Sequence, residues 1–356
     1  MCALPNSPPA LTIDVLFGDR YVPVMITSSP TTPFAFSPAT ATYTPPMTPQ
    51  VSTALPAMMM ADKQYWTTHP TVMSLPMAKS TARAAGNVVV RPVWAHNLRE
   101  EVELIESLLR RYRYAAVDTE FPGTVYRPKV PTYALTAEKK YALLKANVDE
   151  LHLIQLGLTL FDAAGRLPDL GTGVQYVWEF NFREFDVRRH RHAQESIALL
   201  RSKGVDFDRT RRDGIDAAAF GPRLRKLLRG GLGDAGVITF SGAYDLAYLV
   251  KMMLGSGYKL PATPAEFESV VKAMIRKRLY DVKEMARRCP RDIDLRGGLD
   301  RVAGKLDVRR AVGEAHQAGS DSLLTCQTFI KIRERYFVGD DDLTTVAGIV
   351  AGITAC

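Results

Sequence analysis

The chain has 356 residues, 46% of them hydrophobic, which supports one large domain with tails or two ordinary domains. This apolar content excludes a protein that is disordered throughout. A formal net charge of +8 and a pI near 9.3 favour an anionic partner such as nucleic acid, although many proteins with this excess bind no polyanion.

The cysteines and the hydropathy of the sequence indicate the compartment in which the protein resides. The four cysteines lack the paired spacing of a zinc site and are too sparse for a disulfide framework, which favours a reducing compartment. No run approaches the ~18 apolar residues of a membrane span, and the amino terminus lacks the order of a signal peptide. Its Ser/Thr content resembles a transit peptide, but Arg20 is the only arginine before Arg83, which argues against one.

Residues 1–86 are dense in Pro, Thr, Ser, Ala and Met. Prolines at this density remove backbone donors and block regular structure. The composition therefore predicts a disordered tail, with a short partner-docking motif at 58–60 or 65–66 as the alternative.

An ordered domain is predicted over 87–338. A helical stripe at 97–111 precedes a buried strand at 114–117, and further strands follow at 153–160 and 176–182. Helices then alternate with a strand at 237–240; the predicted helices are 193–202, 220–229, 244–254, 264–274, 282–288, 299–306 and 320–337. Three adjacent strands, antiparallel to one another, followed by parallel ones indicate a ribonuclease H-like mixed sheet covered by helices. Residues 339–356 are predicted to form a tail.

Asp118 and Glu120 stand two apart at the end of the first strand of this domain. Period-two geometry places both side chains on one face, where two like charges are unfavourable without a cation. Magnesium prefers such hard oxygen ligands, although an Asp-x-Glu pair alone is more often a polar strand end.

Two later acids each have a structural alternative. Asp245 and Asp321 open predicted helices, where the helix dipole alone favours a carboxylate. Asp281 is a further candidate acid, but a helix cap is the preferred interpretation. His316 precedes Asp321 by five residues on a predicted loop, and by itself it is more typical of a surface histidine than of a base.

Together these residues predict a catalytic site. Four carboxylates can hold two divalent ions beside a phosphodiester, where one activates water and the other stabilises the leaving 3′-oxygen. A neutral His316 can accept the proton of that water near physiological pH. Such a mechanism needs no organic cofactor.

Several blocks of the sequence resemble a known family, namely residues 117–123, 147–151, 154–158, 178–182, 193–197, 244–245, 280–283 and 316–325. They look like the poly(A)-tail deadenylases called Caf or Pop, which are DEDDh exonucleases and catalytic subunits of the CCR–NOT mRNA-decay complex. The resemblance covers about 93–337, and its last block is highly specific.

The resemblance implies a ribonuclease H-like fold and magnesium-dependent 3′-to-5′ shortening of mRNA poly(A) tails with release of 5′-AMP; manganese is an alternative metal. Asp118, Glu120, Asp245 and Asp321 would be the metal-binding acids, and His316 the general base. The implied partners are the Not scaffold and a second deadenylase subunit, and the implied locations are cytoplasm and nucleus.

Two positions depart from the family pattern. Ser241 stands where the family commonly has a histidine four residues before the third acid, and the basic run 188–192 is unusual. Ser241 supports one alternative, a weakly active adaptor subunit. A DEDDh exonuclease acting on other RNA or DNA is a second alternative.

Features that could hold RNA are less specific. Phe121 and Tyr244 adjoin the acids and could stack on adenines, or equally lie in the core. Scattered cations could offset phosphate charge but are more typical of solvated faces, at Arg209, Arg211, Arg212, Arg223, Arg225, Lys226, Arg276, Lys277 and Arg278.

Overall fold

The computed structural model describes residues 11–17, 20–26, 87–229, 231–232, 236–255, 257–275, 278–290, 293–337 and 340–350. Near the amino terminus, strands β1 (Leu11–Phe17) and β2 (Arg20–Ile26) form an antiparallel pair. This pair corrects the prediction of a disordered tail over these two segments, because their Val- and Ile-containing sequences favour strands despite the nearby prolines. The rest of 1–86, with the suggested docking motif, lies outside the described residues.

A six-stranded mixed sheet forms the centre of the domain. Its strands are β3 (Val88–Val93), β4 (Tyr114–Glu120), β5 (Gln155–Phe161), β6 (Gln175–Asn181), β7 (Gly236–Thr239) and β8 (Arg278–Asp281). The order across the sheet is β3-β6-β5-β4-β7-β8, in which β5 runs antiparallel to its neighbours β4 and β6 and the other pairs are parallel. The predicted ribonuclease H-like mixed sheet is thus confirmed.

The helices lie close to the predicted positions. They are α1 (Leu98–Leu108), α2 (Ala137–Glu150), α3 (Gln194–Ser202), α4 (Phe207–Asp213), α5 (Ala217–Arg229), α6 (Ala243–Leu254), α7 (Pro264–Met274), α8 (Val282–Arg288), α9 (Leu299–Lys305), α10 (Ala318–Tyr336) and α11 (Asp340–Thr344). Within the predicted domain, the sequence did not predict β3, α2, α4 or β8, which are either short or rich in polar residues. Because β3 precedes β4, the strand that ends in Asp118 and Glu120 is the second of the domain, not the first. None of the helices in the described parts of the chain combines the length and the hydropathy of a membrane span.

Alternation along β4 divides the core between the two faces of the sheet. Ala115 and Val117 pack in one cluster with residues of α1, α2, α5, α6 and α7. Ala116 faces the other way, into a cluster built with α8, α9 and α10. Because side chains alternate, Asp118 and Glu120 share the face that α10 covers, while Thr119 faces α6.

The carboxyl-terminal region packs onto the domain instead of forming a free tail. Leu343, Val346 and Val350 are buried, and the Gly348 N–H donates to the carbonyl oxygen of Leu279 on the edge strand β8. The prediction of a tail is therefore wrong over 340–350. This segment packs against the domain because burial of its apolar side chains removes apolar surface from water.

Candidate active site

The carboxyl end of β4 carries the first two acids. Register places Asp118 opposite Gly157 and Glu120 opposite Gln155 on β5. A side chain at Gly157 would be impossible here, because a Cβ would lie 1.8 Å from the carbonyl oxygen of Ala318. The absence of a side chain therefore lets the start of α10 approach the sheet directly beside Asp118.

Asp245 reaches the same end of the sheet from the first turn of α6. It is 6% exposed, and its Oδ1 accepts a hydrogen bond of 2.6 Å from the Thr119 hydroxyl. Thr119 faces α6 because it alternates with Asp118 and Glu120, so it ties the third acid to the first two. The sequence pattern did not identify this role.

A tight turn sets the position of α6. Ser241 has φ +59°, and the N–H groups of Ser241 and Gly242 donate to the Asp281 carboxylate at 2.9 and 3.0 Å. Asp281 also accepts from the Lys283 N–H at the start of α8, which confirms its interpretation as a helix cap. Asp281 therefore supports the turn before Asp245.

The fourth acid and the histidine lie together at the start of α10. His316 is exposed, has φ +65°, and donates its backbone N–H to Asp321 Oδ2 at 2.8 Å. The helix begins at Ala318, so Asp321 occupies its first turn as predicted. Three potential ligand atoms lie within 4.8 Å of one another here, one each from the side chains of Glu120, His316 and Asp321. This spacing is compatible with a shared metal ion.

Burial raises the pKa values of all four carboxyl groups, and the charges of neighbouring acids add to the shift at Asp118, Glu120 and Asp245. The pKa of Glu120 rises to about 8 through burial and the charges of Asp321 and Asp245. The pKa of Asp245 rises to about 7, mainly through burial. The pKa of Asp118 is strongly raised, because the carboxyl group is buried beside Asp245, Glu120 and Asp321. Burial also raises the pKa of Asp321. The four predicted acids therefore converge.

Arg310 is a residue of this site that the sequence did not reveal. Its guanidinium lies 2.6 Å from Asp321 Oδ1 and 2.8 Å from Asp300, and its side chain is 15% exposed. The guanidinium lowers the pKa of Asp321 and so opposes the effect of burial. No local spacing links Arg310 to the acids, so the contact could be found only from the fold.

Glu179 on β6 is a fifth acid close to the cluster. It accepts hydrogen bonds from Gln155 Nε2 at 3.0 Å and from the Gly319 N–H at 3.1 Å. Burial raises its pKa, and its charge adds to the shift of Glu120. Glu179 thus links the sheet to the start of α10.

The aromatic and basic candidates are mostly engaged elsewhere. Phe121 and Tyr244 stack on each other, with ring centroids 4.9 Å apart, and pack against the core. Arg209 lies 4.2 Å above the Trp94 ring, and Lys226 pairs with Glu106. Arg276 and Lys277 lie outside the described residues.

The donor set fits divalent metal ions. Oxygen ligands from clustered carboxylates suit magnesium or manganese, and their raised pKa values show the repulsion that a cation would relieve. Arg310 offsets part of this repulsion, at Asp321 and at Asp118.

Comparison with known proteins identifies the family. A model of the CAF1 family ribonuclease matches residues 93–218. "Probable CCR4-associated factor 1 homolog 10" of Arabidopsis thaliana is 42% identical over 270 residues, which are 75% of this chain and 93% of that protein. The chain belongs to the CAF1 family of ribonucleases. "Poly(A) ribonuclease pop2" of Schizosaccharomyces pombe is 39% identical over 256 residues, 71% of this chain and 72% of that one.

Solved structures show the same fold for this CAF1-family chain. The Mg²⁺- and Mn²⁺-bound form of S. pombe Pop2p superposes with a TM-score of 0.65 at 37% identity, covering 74% of this chain and 99% of that one. A structure of the yeast NOT1 MIF4G domain co-crystallized with CAF1 matches with a TM-score of 0.59 at 28% identity, covering 77% and 100% of the two chains. At least one structure with this fold, that of S. pombe Pop2p, contains bound divalent metal ions.

Proposed function

We propose that the protein is a divalent-metal-dependent 3′-to-5′ exoribonuclease that shortens poly(A) tails and releases 5′-AMP. The observation that carries the proposal is the convergence of Asp118, Glu120, Asp245 and Asp321 at one end of the sheet, where burial raises the pKa of each and neighbouring acids add to the shift at Asp118, Glu120 and Asp245. Preference for poly(A) is supported by membership of the family and by the name of the S. pombe relative.

The four carboxylates would hold the metal ions, with magnesium as the proposed ion and manganese as an alternative. Bound divalent ions supply Lewis acidity that makes water acidic and stabilises a leaving 3′-oxygen. Thr119 and the turn supported by Asp281 keep Asp245 in place, and Arg310 and the His316 N–H orient the two oxygens of Asp321.

His316 is the proposed general base. Its side chain is exposed beside Glu120 and Asp321, so it can reach a water at the cluster. A neutral imidazole can take a proton near physiological pH, a role usually worth about 10²–10⁴-fold in rate. The left-handed backbone at His316 fixes how the ring leaves the chain.

The proposed partners are the poly(A) tail, the Not scaffold and a second deadenylase subunit. Support for the scaffold comes from the solved yeast complex of NOT1 with CAF1, whose fold the chain shares. Support for the second deadenylase rests on family resemblance alone.

The test is a gel assay with 5′-labelled RNA ending in oligo(A), in magnesium or chelator, comparing the parent with Asp118→Asn and Glu103→Gln. Glu103 is an exposed acid on α1 and serves as the matched control. Metal-dependent stepwise shortening that stops at the end of the tail, is lost in Asp118→Asn and survives in Glu103→Gln would support the proposal.

Two other outcomes would contradict it. Shortening that continues through the body of the RNA would indicate a general exonuclease. Folded parent protein without shortening would indicate an adaptor, and Ser241→His would then test whether the residue at the turn before Asp245 explains the loss.

A further inference from the structure

A polar cleft lies apart from the acid cluster. Its volume is about 490 Å³, and its lining residues are His152, Arg183, Glu184, His190, Arg211 and Asp216. Ligand pockets commonly measure ~300–1,000 Å³, so the cleft can accept a molecule of nucleotide size.

The cleft lies at the same end of the sheet as the acids. Register aligns Glu120 with Gln155 on β5 and Gln155 with Asn181 on β6. Two strand spacings separate Glu120 from Asn181, which is about 10 Å. Arg183 and Glu184 follow two and three residues after Asn181, which places the cleft within reach of an RNA strand whose 3′ end lies at the acid cluster.

A packed apolar base holds the cleft in shape. A separate core cluster lies beneath it, formed by Ile154, Phe185, Ile197, Leu200, Val205 and Phe207. Phe185 also contacts the rings of His190 and Phe207 at centroid distances of 6.3 and 5.7 Å. The lining side chains therefore rise from a closely packed base.

The cleft offers both hydrogen-bond donors and acceptors. Arg183 pairs with Asp216, and Arg211 lies 3.8 Å from Asp186, yet each guanidinium has five N–H groups and is about half exposed. His190 Nδ1 accepts from the Asp186 N–H, which leaves Nε2 to carry the proton of a neutral ring. These groups suit a phosphate.

Glu184 supplies an acceptor without a partner. One oxygen accepts from the Ala217 N–H at 2.7 Å, but Oε2 is buried and bonded to no group among the residues that the structure describes. A ribose hydroxyl or a base amino group would satisfy it. Phosphate donors beside such an acceptor match a nucleotide better than a simple anion.

The basic run 188–192 connects the cleft to the active site. Arg191 donates to the Tyr126 hydroxyl at 2.8 Å and lies 4.8 Å from the centre of its ring, and the Ala193 N–H donates to the Pro122 carbonyl. Pro122 and Tyr126 belong to the loop that follows Glu120. Arg188 and Arg189 make only long ion pairs in the part of the chain that the structure describes, at 4.0 Å to Asp208 and 3.7 Å to Asp186, and both side chains are largely exposed.

We propose that this cleft is a second nucleotide-binding site, which holds an upstream nucleotide of the same RNA strand whose 3′ end lies at the acid cluster. Arg183 and Arg211 bind its phosphate, Glu184 accepts from its sugar or base, and Arg188 and Arg189 add long-range attraction. This assignment rests on the proposed exonuclease function. The same chemistry would fit a free 5′-mononucleotide, and the test distinguishes the two sources.

The test measures RNA binding in a background that cannot cleave. Fluorescence anisotropy gives dissociation constants of Asp118→Asn for labelled oligo(A) ranging from a dinucleotide to a long strand, in magnesium, at several salt concentrations. Arg183→Gln with Arg211→Gln is added to this background, with Arg211→Gln alone as a milder variant. Arg212→Gln, on α4 beside Arg211 and paired with Asp213, is the matched control. Melting curves confirm folding.

We expect the double variant to bind long oligo(A) about tenfold more weakly, with Arg211→Gln intermediate, while dinucleotide binding stays unchanged. Losing two phosphate contacts would reduce the slope of log affinity against log salt by roughly 1.4. Arg212→Gln should match the background protein at every length.

Three results would overturn the proposal. Unchanged affinity for long oligo(A) would remove the cleft from the RNA path. An equal loss for the dinucleotide would place the effect at the acid cluster. Weaker binding of free 5′-AMP without a length effect would assign the cleft to a mononucleotide. The assay measures RNA binding alone, so it tests the cleft even if the parent protein does not shorten RNA.

Discussion

Two buried glutamates of the domain differ in the charges that surround them: Glu101 pairs with a cation, whereas Glu120 lies beside other acids. Glu101 on α1 is 6% exposed and accepts two hydrogen bonds from Arg91, at 2.9 and 2.5 Å, and one of 2.9 Å from Trp178 Nε1. Glu120 has no cationic partner among the residues that the structure describes, and burial beside Asp321 and Asp245 raises its pKa to about 8.

The difference separates a structural carboxylate from a functional one. The charge of Glu101 is satisfied within the protein, so the group joins α1 to β3 and β6. Repulsion around Glu120 is left for an added cation to relieve, and buried like charges of this kind cluster at functional sites. Burial alone would not have distinguished the two.

The largest expected effect is on catalysis. Asp118→Asn should lower the rate of RNA shortening by about 10³-fold or more, since it removes a metal ligand and electrostatic stabilisation of the transition state. Circular dichroism should show an intact fold, because no core side chain is lost. A variant that shortens RNA at the parental rate would remove Asp118 from the site.

The two glutamates should respond to the same substitution with opposite signs. Glu101→Gln should lower the free energy of unfolding by about 2 kcal/mol, less than the loss of a fully buried pair because Arg91 partly reaches solvent. Glu120→Gln should stabilise the metal-free protein above pH 8, where the parental carboxyl is ionised. Urea titration in chelator measures both, and destabilisation by both variants would erase the distinction.

Arg310 tests whether a protein cation competes with metal. Arg310→Gln should destabilise the metal-free protein, because it leaves Asp321 without its ion pair at 2.6 Å. Magnesium should then raise the melting temperature more than in the parent. Asp300→Asn removes the other ion pair of Arg310 and is the control, expected to leave the magnesium effect unchanged. An equal magnesium effect in Arg310→Gln would contradict competition.

A further expected effect is on pH dependence. The folded-state pKa values of Glu120 and Asp245 are about 8 and about 7, above their ordinary values of 4.5 and 3.8. The folded protein therefore holds protons that the unfolded chain releases, so stability of the metal-free protein should fall as pH rises from about 4 to 8. Thermal melts across this range should show a shallower fall in Glu120→Gln, and an identical profile would refute the assignment.

Much of the site was predictable because its signals are local. The apolar approach of β4 and the two-residue spacing of Asp118 and Glu120 fix their shared face, and Asp245 and Asp321 each open a helix. The antiparallel strands β4, β5 and β6 followed from three adjacent strand patterns, and the parallel β7 from the helix–strand alternation after them, whereas β3 and β8 were not predicted.

The remaining parts depend on contacts between distant segments. Thr119 meets Asp245 across 126 residues of sequence, and nothing near either residue indicates the hydrogen bond. α2 went unpredicted because its buried positions include Asn147, whose amide side chain bonds the backbone of Val125 and Tyr126. The burial of Asn147 could not be predicted, because it depends on the position of the loop to which its side chain is hydrogen-bonded.

The most direct test of the central claim is calorimetric titration of the metal-free protein with magnesium in buffers of different ionisation enthalpy, beside Glu120→Gln. Saturable binding with release of protons is expected, because carboxyl groups with raised pKa values must ionise to bind metal, and the variant should bind more weakly and release fewer protons. Absence of binding, or equal binding and proton release in both proteins, would contradict the account.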